Sequence, residues 1–383
     1  MKTFTITSNE SGQRLDRFLK KYLRAAPLSL IYRVIRKDVK INGSRKAVDY
    51  MLEEGDELVL HIDDARADGL ARRGSGAGAR PRPRIRFKVC YEDENVIAVA
   101  KPYGLLTHGD EREKKDTLVN QVVGYLANKG DYDPASERVF TPSSVNRLDR
   151  NTTGIVVFGK NPQAVRDFSR MIASEGDVRK YYLTLVLGRI DKELTLDGGI
   201  LKDEGSNRVV VSDEGRPSKT IVRPVETFLV RQGAGRKRTQ GDGSFVSPWT
   251  QGDGSFGTQG DGSFVSPRAV AEQKQSPAGQ KGAGQKETMS YTLAEVWLVT
   301  GRPHQIRAHL AAAGHPVVGD PKYGDRRVNA RFAARYGLES QFLHAHRLVV
   351  EEGRGSLEYL AGTVIDSPLP RRLADVTDML RSG

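Results

Sequence analysis

The chain has 383 residues, room for two or three domains with a sizeable core. Its 60 Lys and Arg outweigh 48 Asp and Glu, a formal net charge of +12 that favours a polyanionic partner. The single cysteine, Cys90, excludes an internal disulfide framework and a cysteine-rich zinc site, and no run approaches about 18 continuous apolar residues, so a soluble cytoplasmic protein without a membrane partner is expected.

Residues 1–63 read as a small α+β module. In "RLDRFLKKYL" the residues Leu15, Phe18, Leu19, Tyr22 and Leu23 share one helical face, and Arg14, Arg17, Lys20, Lys21 and Arg24 occupy the other. After Pro27, "SLIYRVIRK" predicts a second helix capped by Ser29, with Leu30, Ile31, Val34 and Ile35 inward and Arg33, Arg36 and Lys37 outward. Val39 and Ile41 alternate up to the turn Asn42-Gly43, and Leu58, Leu60 and Ile62 alternate after Gly55-Asp56. Between Gln13 and Lys46 there are eleven Lys and Arg against two acids, Asp16 and Asp38. Such a run is commonly a solvated helical face, but the near absence of compensating acid favours a nucleic-acid surface.

Residues 64–84, "DARADGLARRGSGAGARPRPR", are rich in Gly, Ala, Arg and Pro without periodicity and read as a basic flexible linker. A second domain runs from 85 to 383. It is interrupted by residues 231–287, where "TQGDGSF" occurs three times, at 239–245, 250–256 and 258–264. These repeats hold one Phe each and little else to bury, so they predict a disordered insertion between two neighbouring strands, "TIVRPVETFLV" and "YTLAEVWLVT". A binding role for it is the alternative.

The second domain carries the residues with chemical potential. "NRLDRNTTGIVVFGK" sets Arg147, Asp149 and Arg150 before a short apolar strand that Gly159 ends. Asp149 either bonds loop amides or serves as a reacting carboxylate held on a loop. "DENVIAVAKPYGLLTH" predicts a strand running into Lys101-Pro102, and "VRKYYLTLVLG" a strand in which only one of Tyr181 and Tyr182 faces the interior. "YTLAEVWLVTGRPHQIRAHLAAAGHPVVGD" reads as a strand, a turn and a short helix, with Pro303 in the first helical turn and Gly314 at its end. His304 and His309 stand at i, i+5, about 140° apart around a helix, and cannot share one ion. His344 and His346 share a strand face with no acid or cysteine beside them in sequence, so no metal site is expected. No phosphate-binding glycine loop and no serine elbow is present.

Taken together these stretches resemble the RluA/RluC/RluD family of RNA pseudouridine synthases. "NRLDRNTTG" is similar to the family's HRLDxxTSG, "TGRPHQIRAHLAAAGHPVVGDPKYG" to its TGRTHQIRVHL…GD..YG segment, "VIAVAKPYG" to its first motif, and "VRKYYLTLVLG" to its KxYxAxVxG strand. The first 62 residues, above all "PLSLIYRVIRKDVKING", resemble the S4 RNA-binding module, closest to the RluC type. The resemblance implies an α+β protein: a small S4-type domain, then a catalytic domain with a mixed, largely antiparallel sheet and a central cleft. By the same resemblance Asp149 matches the catalytic aspartate, Tyr182 the active-site tyrosine, and Arg307 the arginine paired with the aspartate. Two departures stand out: Asn146 replaces the usual histidine and Thr153 replaces serine.

The implied activity is isomerisation of uridine to pseudouridine in 23S ribosomal RNA, by a monomer using no cofactor and no metal. One carboxylate suffices as nucleophile or as base for a ribose proton, and a tyrosine ring can stack the base. The target uridine must leave its helix, and Arg147 and Arg150 are candidates to hold the RNA backbone, as are Arg14, Arg17, Lys20, Lys21, Arg33, Arg36 and Lys37 of the first module. The alternatives are a synthase acting on tRNA, a non-catalytic RNA-binding or assembly factor, and a hydrolase, the last weakened because no second carboxylate sits in a matching motif.

Overall fold

In the computed structural model, which describes residues 1–71, 84–134, 137, 139–203, 205, 208–231, 264–265 and 288–382, a small N-terminal module precedes a large mixed sheet. Strands β1 (Lys2–Thr5), β2 (Val39–Ile41) and β3 (Glu57–Leu60) pair antiparallel in the order β1-β3-β2. Helices α1 (Leu15–Tyr22) and α2 (Leu28–Asp38) bury the stripes expected of them: Leu15, Phe18 and Leu19 on one, Ile31, Val34 and Ile35 on the other, while Leu30 is only partly buried. Two local expectations are corrected. The helix α2 begins one residue before Ser29, because Pro27 (φ −66°) already has the geometry of a helix boundary and its carbonyl accepts the N–H groups of Leu30 and Ile31. Ser29 therefore lies inside the first turn and caps nothing. The start of the 64–84 stretch is α3 (Asp64–Ala71), not linker. Its alanines are good helix formers, Ala67 is buried, and Leu70 packs on the module's core. The rest of that stretch, 72–83, lies outside the described residues.

The large sheet is built from β4 (Lys88–Glu92), β5 (Val96–Lys101), β6 (Ser143–Ser144), β7 (Thr153–Gly159), β8 (Val178–Leu187), β9 (Leu194–Asp197), β12 (Lys219–Arg231), β13 (Phe264–Val265), β14 (Thr288–Leu298), β15 (Leu343–Val350) and β16 (Val364–Asp366). Its main path is β13-β9-β12-β14-β8-β15-β7-β5-β4, with β6 on β7 and β16 on β15. The pairs β7·β15 and β9·β13 are parallel and the others antiparallel. A separate hairpin, β10 (Ile200–Lys202) with β11 (Val209–Val211), leans over one end. The strands β12 and β14 are neighbours as expected, with Arg231 opposite Thr288, so the two ends of the repeat insertion meet. Beyond Arg231, the last residue of β12, only Phe264–Val265 of the insertion is described, as an edge strand on β9; the expected disorder falls otherwise on residues outside the description.

Helix α4 (Leu118–Lys129), capped by Thr117, covers one face of β5 and β7, and α5 (Pro162–Ala173), capped by Asn161, covers the other. That double coverage explains the unbroken apolar runs in both strands. It also corrects the reading of Tyr181 and Tyr182: both are buried, at 4% and 7% exposure, because each face of β8 meets protein. Tyr181 packs towards Trp297, and Tyr182 joins the core under the cleft. Three further helices complete the fold, α6 (Gln305–Ala312), α7 (Arg326–Tyr336) and α8 (Arg371–Arg381). No helix among the described residues is long and apolar enough to cross a membrane.

Where β7 begins, Gly154 lies so close to β15 that a Cβ there would meet the Ala345 carbonyl oxygen at 2.1 Å, and its φ of +112° disfavours any side chain. Gly154→Ala is expected to cost about 3 kcal/mol, measured as a loss of stability in denaturant; an unchanged midpoint would show that β7 and β15 are not held at this spacing.

Candidate active site

Asp149 sits on the loop between β6 and β7, and that loop is clamped through its backbone. The Thr107 hydroxyl donates to the Leu148 carbonyl at 3.0 Å and accepts its N–H at 3.2 Å. The buried Lys101 ammonium donates to the carbonyls of Pro102, Leu105 and Arg150, at 3.3, 2.8 and 2.9 Å. Burial pushes Lys101 down to about 7, against an opposing pull from the charge of Asp149. The Asn146 side chain donates to the Ile155 carbonyl at 3.2 Å and accepts the Val157 N–H at 2.9 Å, so it is bound to the edge of β7. Thr153 is similarly absorbed. His344 Nε2 must donate to the Ser367 carbonyl at 2.9 Å, which leaves Nδ1 to accept the Thr153 hydroxyl at 2.8 Å. Burial pushes His344 down to about 4, consistent with that neutral ring. Both departures from the family pattern thus do structural work at the base of the loop.

Opposite the loop stands Arg307 on α6, only 4% exposed. Its Nη1 donates to Asp149 Oδ2 at 2.8 Å, while Nε and Nη2 donate to Asp320 Oδ2 and Oδ1 at 2.6 and 2.8 Å. Asp320 is fully buried and also accepts the N–H groups of Lys322 and Tyr323. Burial alone would raise its carboxyl, but the guanidinium outweighs that and holds it below the ordinary range. The Tyr323 ring lies 5.2 Å from the Arg307 guanidinium. The helix start is set by Gln305, whose amide donates to the Lys219 carbonyl and the Thr220 hydroxyl, both at 3.0 Å, and accepts the Arg302 N–H at 3.0 Å. Pro303 precedes the helix instead of entering it, because His304 adopts a left-handed φ of 53° directly before Gln305. His304 Nε2 lies 3.7 Å from Asp149 Oδ2.

These groups open into a cleft of about 1160 Å³. Asp149, Tyr182 and Arg307 all line it, so the three residues singled out in sequence come together. Burial, and then the negative charge of Asp149, push the Tyr182 phenol well above its ordinary value. Cations ring the mouth: Arg147, Lys202, Arg208, Arg216 and Arg302. Arg150 does not join them; its guanidinium turns to Asp110 at 3.3 Å. On the N-terminal module, one buried carboxylate, Asp16, takes both Arg14 (3.1 Å) and Lys20 (3.0 Å), Lys21 donates to Gln13, and Arg36 donates to the Tyr32 carbonyl. Arg17, Arg33 and Lys37 are exposed and have no carboxylate partner among the described residues. Sequence reasoning passed over Asp320 and Tyr323, although both lie in the quoted "GDPKYG", and it weighed His304 only as a metal ligand. The β10–β11 cations carried no signal, since nothing in their spacing tells that the hairpin meets the cleft. His346 and Glu295 form a buried pair at 2.9 Å that sequence distance concealed.

The family model described as RNA pseudouridylate synthase matches residues 95–312. Ribosomal large subunit pseudouridine synthase C of Salmonella typhi is 27% identical over 394 residues, covering 100% of this chain and 97% of its own. The Vibrio cholerae protein of that name is 28% identical, covering 89% of this chain and 85% of its own, and the Escherichia coli K12 protein is 28% identical at 91% and 88%. The matched span opens just before the strand that carries Lys101 and closes at the last residue of α6, enclosing the carboxylate, the tyrosine and the arginine of the cleft, and by that match the chain belongs to the RNA pseudouridylate synthase family.

Proposed function

We propose that the protein isomerises uridine to pseudouridine in the RNA of the large ribosomal subunit, with Asp149 as the reacting carboxylate. The observation that carries this reading is the hydrogen bond from Arg307 Nη1 to Asp149 Oδ2, 2.8 Å, on the wall of a cleft large enough for a nucleotide. The reaction breaks the C1′–N1 bond and forms C1′–C5; C5 gives up a proton and N1 gains one, so atoms and electrons balance without a redox partner. Asp149 acts as nucleophile at the ribose or as the base for a ribose proton. Its bond to Arg307 restrains the carboxylate to one direction, which a reaction on a rotating base requires. Tyr182 remains a protonated phenol at neutral pH, so it serves as a stacking ring and hydrogen-bond donor, not as a base. Arg147 and the hairpin cations grip the phosphates around an extruded nucleotide. The names of the full-length relatives supply the large-subunit substrate. Residues 1–63 serve as an S4-type RNA-binding domain, and 85–383 form the catalytic domain of a monomer. Asp320 does not make the cleft a two-carboxylate hydrolase site, since it is fully buried and held on both oxygens by Arg307.

Asp149→Asn is expected to leave less than about 1% of the pseudouridine yield with RNA affinity within a few fold, because phosphate contacts dominate binding; mapping of pseudouridine in large-subunit RNA from cells carrying this variant decides it, and a loss of pseudouridine from tRNA instead would redirect the substrate. Asp320→Asn removes half of the buried support of Arg307 and should cost roughly 3–5 kcal/mol of stability along with activity. A carboxyl held below its unfolded value lends stability that is present above about pH 4 and is lost as pH falls through the native value. Acid unfolding should therefore be shallower in Asp320→Asn than in the parent, and equal acid limbs would contradict the pairing. Replacing Arg17, Arg33 and Lys37 together with alanine should flatten the slope of log affinity against log salt by about two units, with turnover at saturating RNA preserved; an unchanged slope means those cations are only solvated.

A further inference from the structure

The hydrogen bonds around Tyr323 determine which nitrogen of His304 carries its proton. The Val209 backbone N–H, on β11, donates to the Tyr323 hydroxyl oxygen at 2.8 Å. That hydroxyl lies 2.9 Å from His304 Nδ1, and no other acceptor for its hydrogen stands among the described residues. The network is fully satisfied in one way only: Tyr323 donates to Nδ1, and the ring's own proton sits on Nε2. Nε2–H then faces Asp149 Oδ2 at 3.7 Å, too far for a hydrogen bond. A donor is thus held in the cleft wall, oriented from behind, with no acceptor within hydrogen-bond distance among the described residues.

The backbone agrees with a site held under constraint. His304 and Asn42 are the non-glycine residues at positive φ among those described, and the one at His304 stands directly beside the cleft. A side chain in the left-handed region is uncommon and costs about 1 kcal/mol or more, although histidine is among the residues that tolerate it best. The charged and titratable groups that act on the ring are Asp149, Arg307, Lys322 and Asp320; burial lowers His304 first, Asp149 and Asp320 raise it, and Arg307 and Lys322 lower it, for a net shift below the ordinary range. The ring is neutral at pH 7.

We propose that His304 is a further catalytic residue, donating a hydrogen bond from Nε2 to a carbonyl oxygen of the target uracil while the base is detached from the ribose. Tyr323 is the positioning residue that sets the tautomer. The inference rests on the reading of Asp149 as the carboxylate that works on the ribose. When the C1′–N1 bond breaks, its electron pair passes to the base, and negative charge spreads onto the carbonyl oxygens. A fixed neutral donor in a desolvated cleft is strongest against that charge. An imidazolium would instead be drawn to Asp149 and withdraw the carboxylate from the ribose.

The test uses the full-length protein on an RNA transcript under single turnover. His304→Gly relieves the left-handed strain, so Tm should hold or rise and the RNA Kd stay within about threefold, while kcat falls about 100-fold. His304→Gln places an amide N–H near the Nε2 position and should recover about tenfold of that loss. Tyr323→Phe keeps the ring beside Arg307 but frees the tautomer; it should lower kcat about three- to tenfold at unchanged Kd, and ¹⁵N spectra of His304 should pass from Nε2–H alone to a mixture. The proposal is overturned if His304→Gly keeps kcat within threefold, if Kd rises in proportion as kcat falls, or if the parent ring carries its proton on Nδ1. An active His304→Gly beside an inactive Asp149→Asn removes His304 alone; an active Asp149→Asn removes the reading beneath it.

Discussion

One guanidinium shared by two carboxylates organises the cleft. Arg307 gives two of its nitrogens to Asp320, which is fully buried, and the remaining one to Asp149, which faces the open space. The two partners do different work. The bidentate bond to Asp320 fixes the plane of the guanidinium, and a planar fork leaves its third nitrogen no freedom of direction. Burying such a group is costly, and a buried ion pair of this kind is close to break-even for stability. Its value is geometric: the Asp149 carboxylate is presented to the cleft from one side, by a donor that cannot swing away.

That device works only if the loop bearing Asp149 is equally fixed, and the loop has no secondary structure to hold it. Its backbone is gripped instead by Lys101 and Thr107 from the strand β5 and the segment after it, and its root by Asn146 and Thr153. The residues that depart from the family pattern are both engaged with β7 or β15, away from the carboxylate. A change of residue there alters how the loop is pinned, and the backbone hydrogen bonds it satisfies are the ones a histidine or a serine would also have to answer.

The net charge of +12 is unevenly available. On α1 a single buried aspartate neutralises two of the cations that sequence counting would assign to RNA, and Arg150 is drawn to Asp110. Among the described residues, the cations left without a carboxylate partner include Arg17, Arg33 and Lys37 on α1 and α2 and the set around the cleft mouth. The exposed cations and the cleft interior differ in character: beside the Arg307–Asp149 ion pair stand Tyr182, whose phenol is pushed up, and His304, whose ring is pushed down, so that both are neutral at pH 7.

By itself the sequence determined the elements whose code is local. The 3.6-residue stripes of α1 and α2, the apolar run of β7, and the pairing of β12 with β14 across a long insertion were all legible, because periodicity and the need to close a loop act on neighbours in the chain. Asp149, Tyr182 and Arg307 were legible as a set only through resemblance, since nothing in their spacing brings them together. Tertiary structure decided the rest. Asp320 and Tyr323 lie within twenty residues of Arg307, yet their roles depend on a turn that returns the chain to the guanidinium. Lys101 reads as an ordinary strand-end lysine until the fold wraps three carbonyls around it. Both tyrosines of β8 are buried because distant parts of the chain meet each face, Trp297 of β14 beside Tyr181 and the core shared with α4 and α6 around Tyr182. The Tyr323 hydroxyl beside His304 accepts a backbone N–H of β11, ninety-five residues before His304, and side-chain period names a face but never the partner that waits across from it.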